Sequence, residues 1–208
     1  MMSVYRDVSQ HATIFLYFFW FLISFFTHGT LVCMTYTIVP LGNPGTSYEK
    51  TRHNAARIVL TSIMNDVLLI PQCEVFIPTS FMNESGRDVI DYLKYHEERE
   101  IILMYDDKDL PLGTIRISHD RGDGGHNGVK SIIEHLGTRE FVRVRIGIAR
   151  KNETGNVQSP KGADVQKYVM GNFTEEELEL IKKTPLLIIN VLKDIVEYGY
   201  QKAMERNN

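Results

Sequence analysis

From residue 35 onward, short β-branched runs alternate with stretches of helical periodicity, and this alternation restricts the chain to the α/β class. The expected architecture is a single domain whose mostly parallel, mixed sheet is flanked by helices, with an apolar extension at the N-terminus. Strands are predicted at Tyr36 to Leu41, Glu74 to Pro78, Ile101 to Tyr105, Thr114 to Ser118 and Arg143 to Ile148. The last alternates Arg, Val, Arg, Ile, as a half-exposed strand does. One helix is read from about Tyr48 to Asn65, with Ala55, Ala56, Val59, Leu60 and Ile63 on one face. Another begins at Asn127, with Val129, Ile132, Ile133 and Leu136 at helical spacing. Thr174 followed by Glu175, Glu176 and Glu177 reads as a helix start, and Pro185 splits the closing segment or opens its second helix. The polar stretch Lys151 to Asp164 reads as an exposed loop.

With 43% hydrophobic and 24% charged residues, the 208-residue chain can bury a sizeable core, which excludes disorder and fibrous repeats. Its net charge of -3 excludes a polycation that coats nucleic acid, so any basic surface must be local. Two cysteines, Cys33 and Cys73, exclude a disulfide scaffold and a four-thiolate zinc site and fit a reducing compartment.

Residues 1–34 stand apart from residues 35–208, which form the expected domain. No Asp, Glu, Lys or Arg occurs between Asp7 and Glu49, and residues 12–26 are almost wholly apolar. That run is shorter than the roughly 20 residues that span a bilayer. It reads as an upstream extension with a misassigned start, or as a membrane anchor. As a signal peptide it has a poor n-region and no small-residue cleavage site.

Uncommon polar clusters follow the predicted strands or open the next helices: Asn43-Pro44-Gly45, Phe81-Met82-Asn83, Asp106-Asp107 and Gly124-Gly125-His126-Asn127. In open α/β sheets ligands bind outside the carboxyl ends of the strands, so these clusters are expected to converge on one cleft. His53 follows the first cluster closely. A carboxylate at a strand end, Asp106, facing that imidazole would fix its tautomer and favour its protonated form, as a general base requires. Ser85 and Ser118 lack a nucleophile-elbow setting and neither cysteine has a histidine near it in sequence, which leaves water as the attacking species. Asparagine amides donate and accept without titrating, so three of them suit recognition of carbonyl, amide and hydroxyl groups and do not suit metal capture.

The segments LGNPGTSYEKTRHN, PTSFMNESG, DDKDLPLG, GGHNGVKSI and FVRVRIGIAR occur in the order found in bacterial-type peptidyl-tRNA hydrolases, and residues 35 to 200 resemble that family throughout. The resemblance implies a monomeric, cytoplasmic esterase of translation without metal or cofactor. Its substrate would be peptidyl-tRNA, cleaved at the ester joining the peptide to the 3′ ribose, and no stable protein partner is expected. It would meet a membrane only through residues 12–26. By the same resemblance His53 is the base that activates water, Asp106 holds its imidazole, and Asn43 helps distinguish N-blocked from free aminoacyl groups. Asn83 and Asn127 bind substrate, Tyr48 and Phe81 line the site for the tRNA 3′ end, and His126 belongs to the site as a structural or catalytic histidine. Arg116 and Arg145 occupy positions associated with the acceptor stem and its 5′ phosphate. Between Lys108 and Lys151, nine Lys and Arg stand against five Asp and Glu, and Arg121, Arg139, Arg143, Arg150 and Lys151 could extend that patch.

Three departures mark this sequence. Pro40 and Ala56 stand where the family has glycine, and residues 54 to 78 are short enough to put one sheet strand in doubt. Two other functions are compatible with the residues: an RNA-binding protein that retains the fold without hydrolysis, and a metal-dependent hydrolase using Asp106, Asp107, Asp109, Asp120, Asp123 and His126. The latter set lacks a recognised ligand spacing.

Overall fold

Thr35–Pro40 forms strand β1, and its near-continuous burial is that of a strand covered on both faces of a parallel sheet. The structure, a computed structural model, describes residues 34–96 and 99–208. The extension at 1–34, apart from Met34, and its apolar run at 12–26 lie outside the described residues. Among the described residues no helix is long and apolar enough to cross a membrane.

The remaining strands are β2 (Cys73–Val75), β3 (Arg99–Pro111), β4 (Ile115–Ser118), β5 (Val142–Lys151) and β6 (Val157–Gln158). They form a mixed sheet in the order β2-β1-β3-β5-β4, with β6 also pairing with β5. β2, β1, β3 and β5 run parallel, whereas β4 and β6 are antiparallel to β5. Helices α1 (Ala55–Val67), α2 (Ser85–Leu93), α3 (Asn127–Leu136), α4 (Asp164–Met170), α5 (Glu175–Ile181) and α6 (Pro185–Asn207) accompany the sheet.

Two cores result. Val59, Leu60 and Ile63 of α1 pack with Ile38, Ile102 and Ile146 and with Ile188 and Leu192 of α6. On the other face Val89 of α2 and Val129 and Ile132 of α3 meet Val39, Leu103 and Tyr105. Each fully buried aliphatic side chain stabilises the fold by about 1.5–3 kcal/mol.

Several expectations are corrected. The first helix starts at Ala55 rather than near Tyr48, because Thr51 is extended and bridges to Asn172, which leaves only 3-10 turns at Thr46–Tyr48 and Arg52–Asn54. β3 runs on to Pro111, so Asp106 lies inside the strand, still paired with Ile146, rather than beyond its end. Backbone hydrogen bonding to β5 holds this polar stretch extended until the register breaks between Asp107 and Pro111. β5 is not half-exposed: Arg143 and Arg145 are buried, since β5 is flanked by β3 and β4 and both guanidinium groups find internal partners. The loop from Lys151 carries β6, turned by the Asn152 carboxamide, which accepts from the N–H groups of Thr154 and Asn156. Pro185 opens α6, and Thr174 and Glu177 form a reciprocal capping box on α5. Residues 54 to 78 hold α1 and the short strand β2.

Candidate active site

A cleft of about 580 Å³ opens at the carboxyl ends of the parallel strands. Asn43, Tyr48, His53, Phe81, Asn83, Asp106, His126, Asn127 and Arg145 all line it, drawn from five separate parts of the chain. Arg116 does not. It is exposed on β4, directly across the antiparallel ladder from Arg145.

His53 is placed by the 3-10 turn ahead of α1, and that turn is tied down on both sides. The Arg52 N–H donates to the Gly171 carbonyl at 3.0 Å, and the Phe173 N–H donates to Lys50 at 2.9 Å. The buried Arg52 guanidinium pairs with Glu177 at 2.7 Å and lies over the rings of Tyr168 and Phe173. Glu177, read from the sequence only as a helix-start residue, thus also anchors the histidine turn, and the half-exposed Arg150 pairs with it as well.

The His53 imidazole is buried, with Nδ1 at 2.9 and 3.1 Å from the two oxygens of Asp106. Burial opposes ionisation of Asp106, but His53 and His126 outweigh it and hold the carboxyl well below the usual carboxylate range. An ionised carboxylate only accepts, so Nδ1 carries the proton and Nε2 keeps its lone pair. Burial lowers the imidazole pKa and the Asp106 charge raises it, with a net upward shift.

His126 touches the same carboxylate, Nε2 lying 3.0 Å from Asp106 Oδ1. Its Nδ1 accepts the Val129 N–H at 3.3 Å and caps α3. That cap fixes the neutral tautomer with the proton on Nε2, directed at Asp106. The structural and site readings of His126 are therefore one arrangement.

Among the described residues, donor atoms of His53, Asp106 and His126 lie within 4.8 Å of one another, a spacing that could hold a metal ion. The cap disfavours it, because a metal on His126 Nε2 would force a proton onto the nitrogen that receives the Val129 N–H. The acidic set considered from the sequence is dispersed: Asp107 pairs with Arg145, Asp109 with Lys108 and Asp120 with Arg139, while Asp123 accepts the Gly125 N–H.

Residues 37–208 match the family described as peptidyl-tRNA hydrolase. The chain belongs to that family. A peptidyl-tRNA hydrolase of Fervidobacterium nodosum is 39% identical over 183 residues, covering 82% of this chain and 94% of the relative. One from Prochlorococcus marinus strain NATL2A is 36% identical over 192 residues, covering 82% and 93%. Among solved structures, the crystal structure of the Acinetobacter baumannii peptidyl-tRNA hydrolase superposes with a TM-score of 0.71 at 26% identity, covering 86% of this chain and 97% of that one.

Against this family background the asparagines divide by geometry. The Asn43 side-chain oxygen accepts the Met82 N–H at 2.9 Å, while among the described residues its amide nitrogen has only the Met170 sulfur, at 3.9 Å. Asn43 is thus committed as an acceptor and faces the cleft as a donor. Asn83 and Asn127 are exposed on the cleft wall, and Tyr48 and Phe81 meet edge to face with ring centroids 6.2 Å apart. Arg143 is withdrawn from any surface patch, its guanidinium donating to the carbonyls of Arg121 and Gly122.

Sequence reasoning missed Asn54. Its side chain accepts the Asn43 N–H at 2.8 Å and donates to the Asn43 carbonyl at 2.9 Å, fixing that backbone from both sides. Its place beside His53 was the only signal. Asn54→Ala should cost about 1–3 kcal/mol by orphaning a buried N–H. It should also lower kcat/KM, measured by thermal melts and steady-state hydrolysis on the same preparation.

Proposed function

We propose that His53 is the general base with which this chain hydrolyses peptidyl-tRNA, the reaction of the family to which it belongs. The chain is a hydrolase of translation with peptidyl-tRNA as its substrate. His53 Nε2 takes a proton from water while the water oxygen attacks the ester carbonyl carbon. The tetrahedral intermediate collapses with cleavage of the bond to the ribose 3′ oxygen, which recovers the proton from the imidazolium. Free peptide acid and tRNA with a 3′ hydroxyl result. The observation that supports this most is the single ionised carboxylate of Asp106 held by both His53 and His126.

Asp106 sets the tautomer of His53 and stabilises the imidazolium. His126 positions that carboxylate through Nε2–H. The Asn43 amide donates to a substrate carbonyl, and an ammonium at that spot would meet N–H donors instead of acceptors, which disfavours substrates with a free amine. Asn83 and Asn127 bind the peptide, with Tyr48 and Phe81 against the 3′ end. An activated ester needs no metal or covalent intermediate, since positioning and a base contributing about 10² to 10⁴-fold suffice. We assign the protein to the cytoplasm as a monomer.

The direct test is release of N-acetylaminoacyl groups from tRNA by the purified full chain. Turnover is expected. Binding without turnover would instead establish an RNA-binding protein that keeps only the fold.

The pH dependence follows from the same pair. Because the His53 pKa is raised above 6.5, the neutral base is lost as pH falls through that raised value, so the acid limb of kcat/KM should lie above 6.5. In Asp106→Asn only the lowering effect of burial remains. The plateau should drop and the limb should move to lower pH. A limb that stays in place in the variant would contradict Asp106 as the origin of the shift.

A further inference from the structure

Asp106 and Asp107 are adjacent on β3, and successive residues of a strand face opposite sides of the sheet. Asp106 meets His53, whereas Asp107 meets Arg145 of β5. Arg145 Nε and Nη2 both donate to the same Asp107 oxygen, at 2.7 and 2.6 Å, and both side chains are about nine-tenths buried. The second Asp107 oxygen accepts the Asp109 N–H at 2.8 Å, so the register break at the end of β3 holds the carboxylate in place. Lys108, the next cation at this end of the cleft, is likewise neutralised by Asp109 at 3.0 Å. Arg116 stands opposite Arg145 on the antiparallel ladder, so two arginines share one face with a single inserted carboxylate.

We propose that Asp107 occupies the place of a tRNA phosphate on Arg145 and is displaced when the acceptor stem binds, so that only a strong, correctly placed phosphate gains this arginine. This rests on the reading of Arg145 as a phosphate contact. In the free protein the carboxylate keeps a buried guanidinium paired, which an open phosphate site cannot do. On binding, the doubly charged or diester phosphate replaces it and Asp107 recovers solvent and counterions. That recovery offsets the counterion release that an unopposed arginine would give, so this contact contributes little to salt dependence. The device lowers affinity for any polyanion that presents charge elsewhere.

The test is binding of deacylated tRNA to the full chain across a KCl series, for the wild type, Asp107→Asn, Arg145→Ala and the double variant. Asp107→Asn should bind about three- to tenfold more tightly, with a salt slope steeper by about one, while its melting temperature falls. Those two changes have opposite signs, which a purely structural role for Asp107 would not produce. In the Arg145→Ala background the tightening should vanish. Weaker or unchanged binding by Asp107→Asn, or equal tightening without Arg145, overturns the proposal. If Arg145→Ala leaves both affinity and slope unchanged, the phosphate assignment itself fails; if it weakens binding and Asp107→Asn does not tighten it, only the displacement fails. Should Asp107→Asn not fold, Asp107→Ser removes the same charge. In the wild type, both the Asp107 carboxyl carbon and the Arg145 Nε resonances should shift on adding tRNA, and an unmoved carboxyl overturns the proposal.

Discussion

His53→Ala is expected to lower kcat by about 10² to 10⁴-fold, the range a positioned general base contributes. KM should change far less, because the residues proposed to contact tRNA are other than His53. The residual rate should remain above that of the free ester, since the proposed contacts of the Asn43 amide and the aromatic walls with the substrate are left in place. Asp106→Ala should cost less than His53→Ala, because it removes the tautomer control and charge stabilisation but leaves the nitrogen that accepts the proton. Single-turnover hydrolysis of N-acetylaminoacyl-tRNA separates these effects from binding. Equal losses in both variants would mean that the two side chains act as one indivisible unit.

Gly86→Ala is expected to be strongly destabilising. A Cβ at residue 86 would stand 2.1 Å from the Ser131 carbonyl oxygen and 2.6 Å from its carbon, both backbone atoms. No rotamer relieves that clash. The Gly86 N–H also donates to Ser131 Oγ at 3.0 Å, so the two helices are joined at this point. Relief requires α2 and α3 to separate, at a cost of about 3 kcal/mol or more, the upper end of overpacking effects. The functional consequence follows from what the helices carry: Asn83 lies just ahead of α2, and His126 and Asn127 open α3. Separation should therefore raise KM in whatever fraction remains folded. Denaturant unfolding checks the stability, and a variant within 0.5 kcal/mol of wild type would show that the helices yield more readily than their contact suggests.

The sheet and the convergence of the polar clusters were legible because each rests on local pattern: β-branched runs between helical faces, and turn residues where parallel strands end. Long-range pairing is what local pattern does not encode. The arginines of β5 read as a solvated face, yet their stems are buried and their heads donate to carbonyls of the Arg121–Gly122 turn and to Asp107. The start of α1 was misplaced because Asn172, more than a hundred residues away, bridges Thr51 and keeps it extended. Asn54 left no periodic trace, since a side chain that caps a neighbouring backbone follows neither helical nor strand spacing. His126 was legible only as a candidate, because its two hydrogen bonds run to residues on different elements.

The most direct test of the account is to follow the His53 imidazole by NMR through a pH titration of the full chain, alongside the pH profile of kcat/KM on N-acetylaminoacyl-tRNA. The imidazole should titrate above 6.5, the acid limb of activity should coincide with it, and Asp106→Asn should move both together to lower pH. An activity limb that departs from the His53 titration, or a His53 that titrates without Asp106 affecting it, would contradict His53 as the base and Asp106 as the group that sets it.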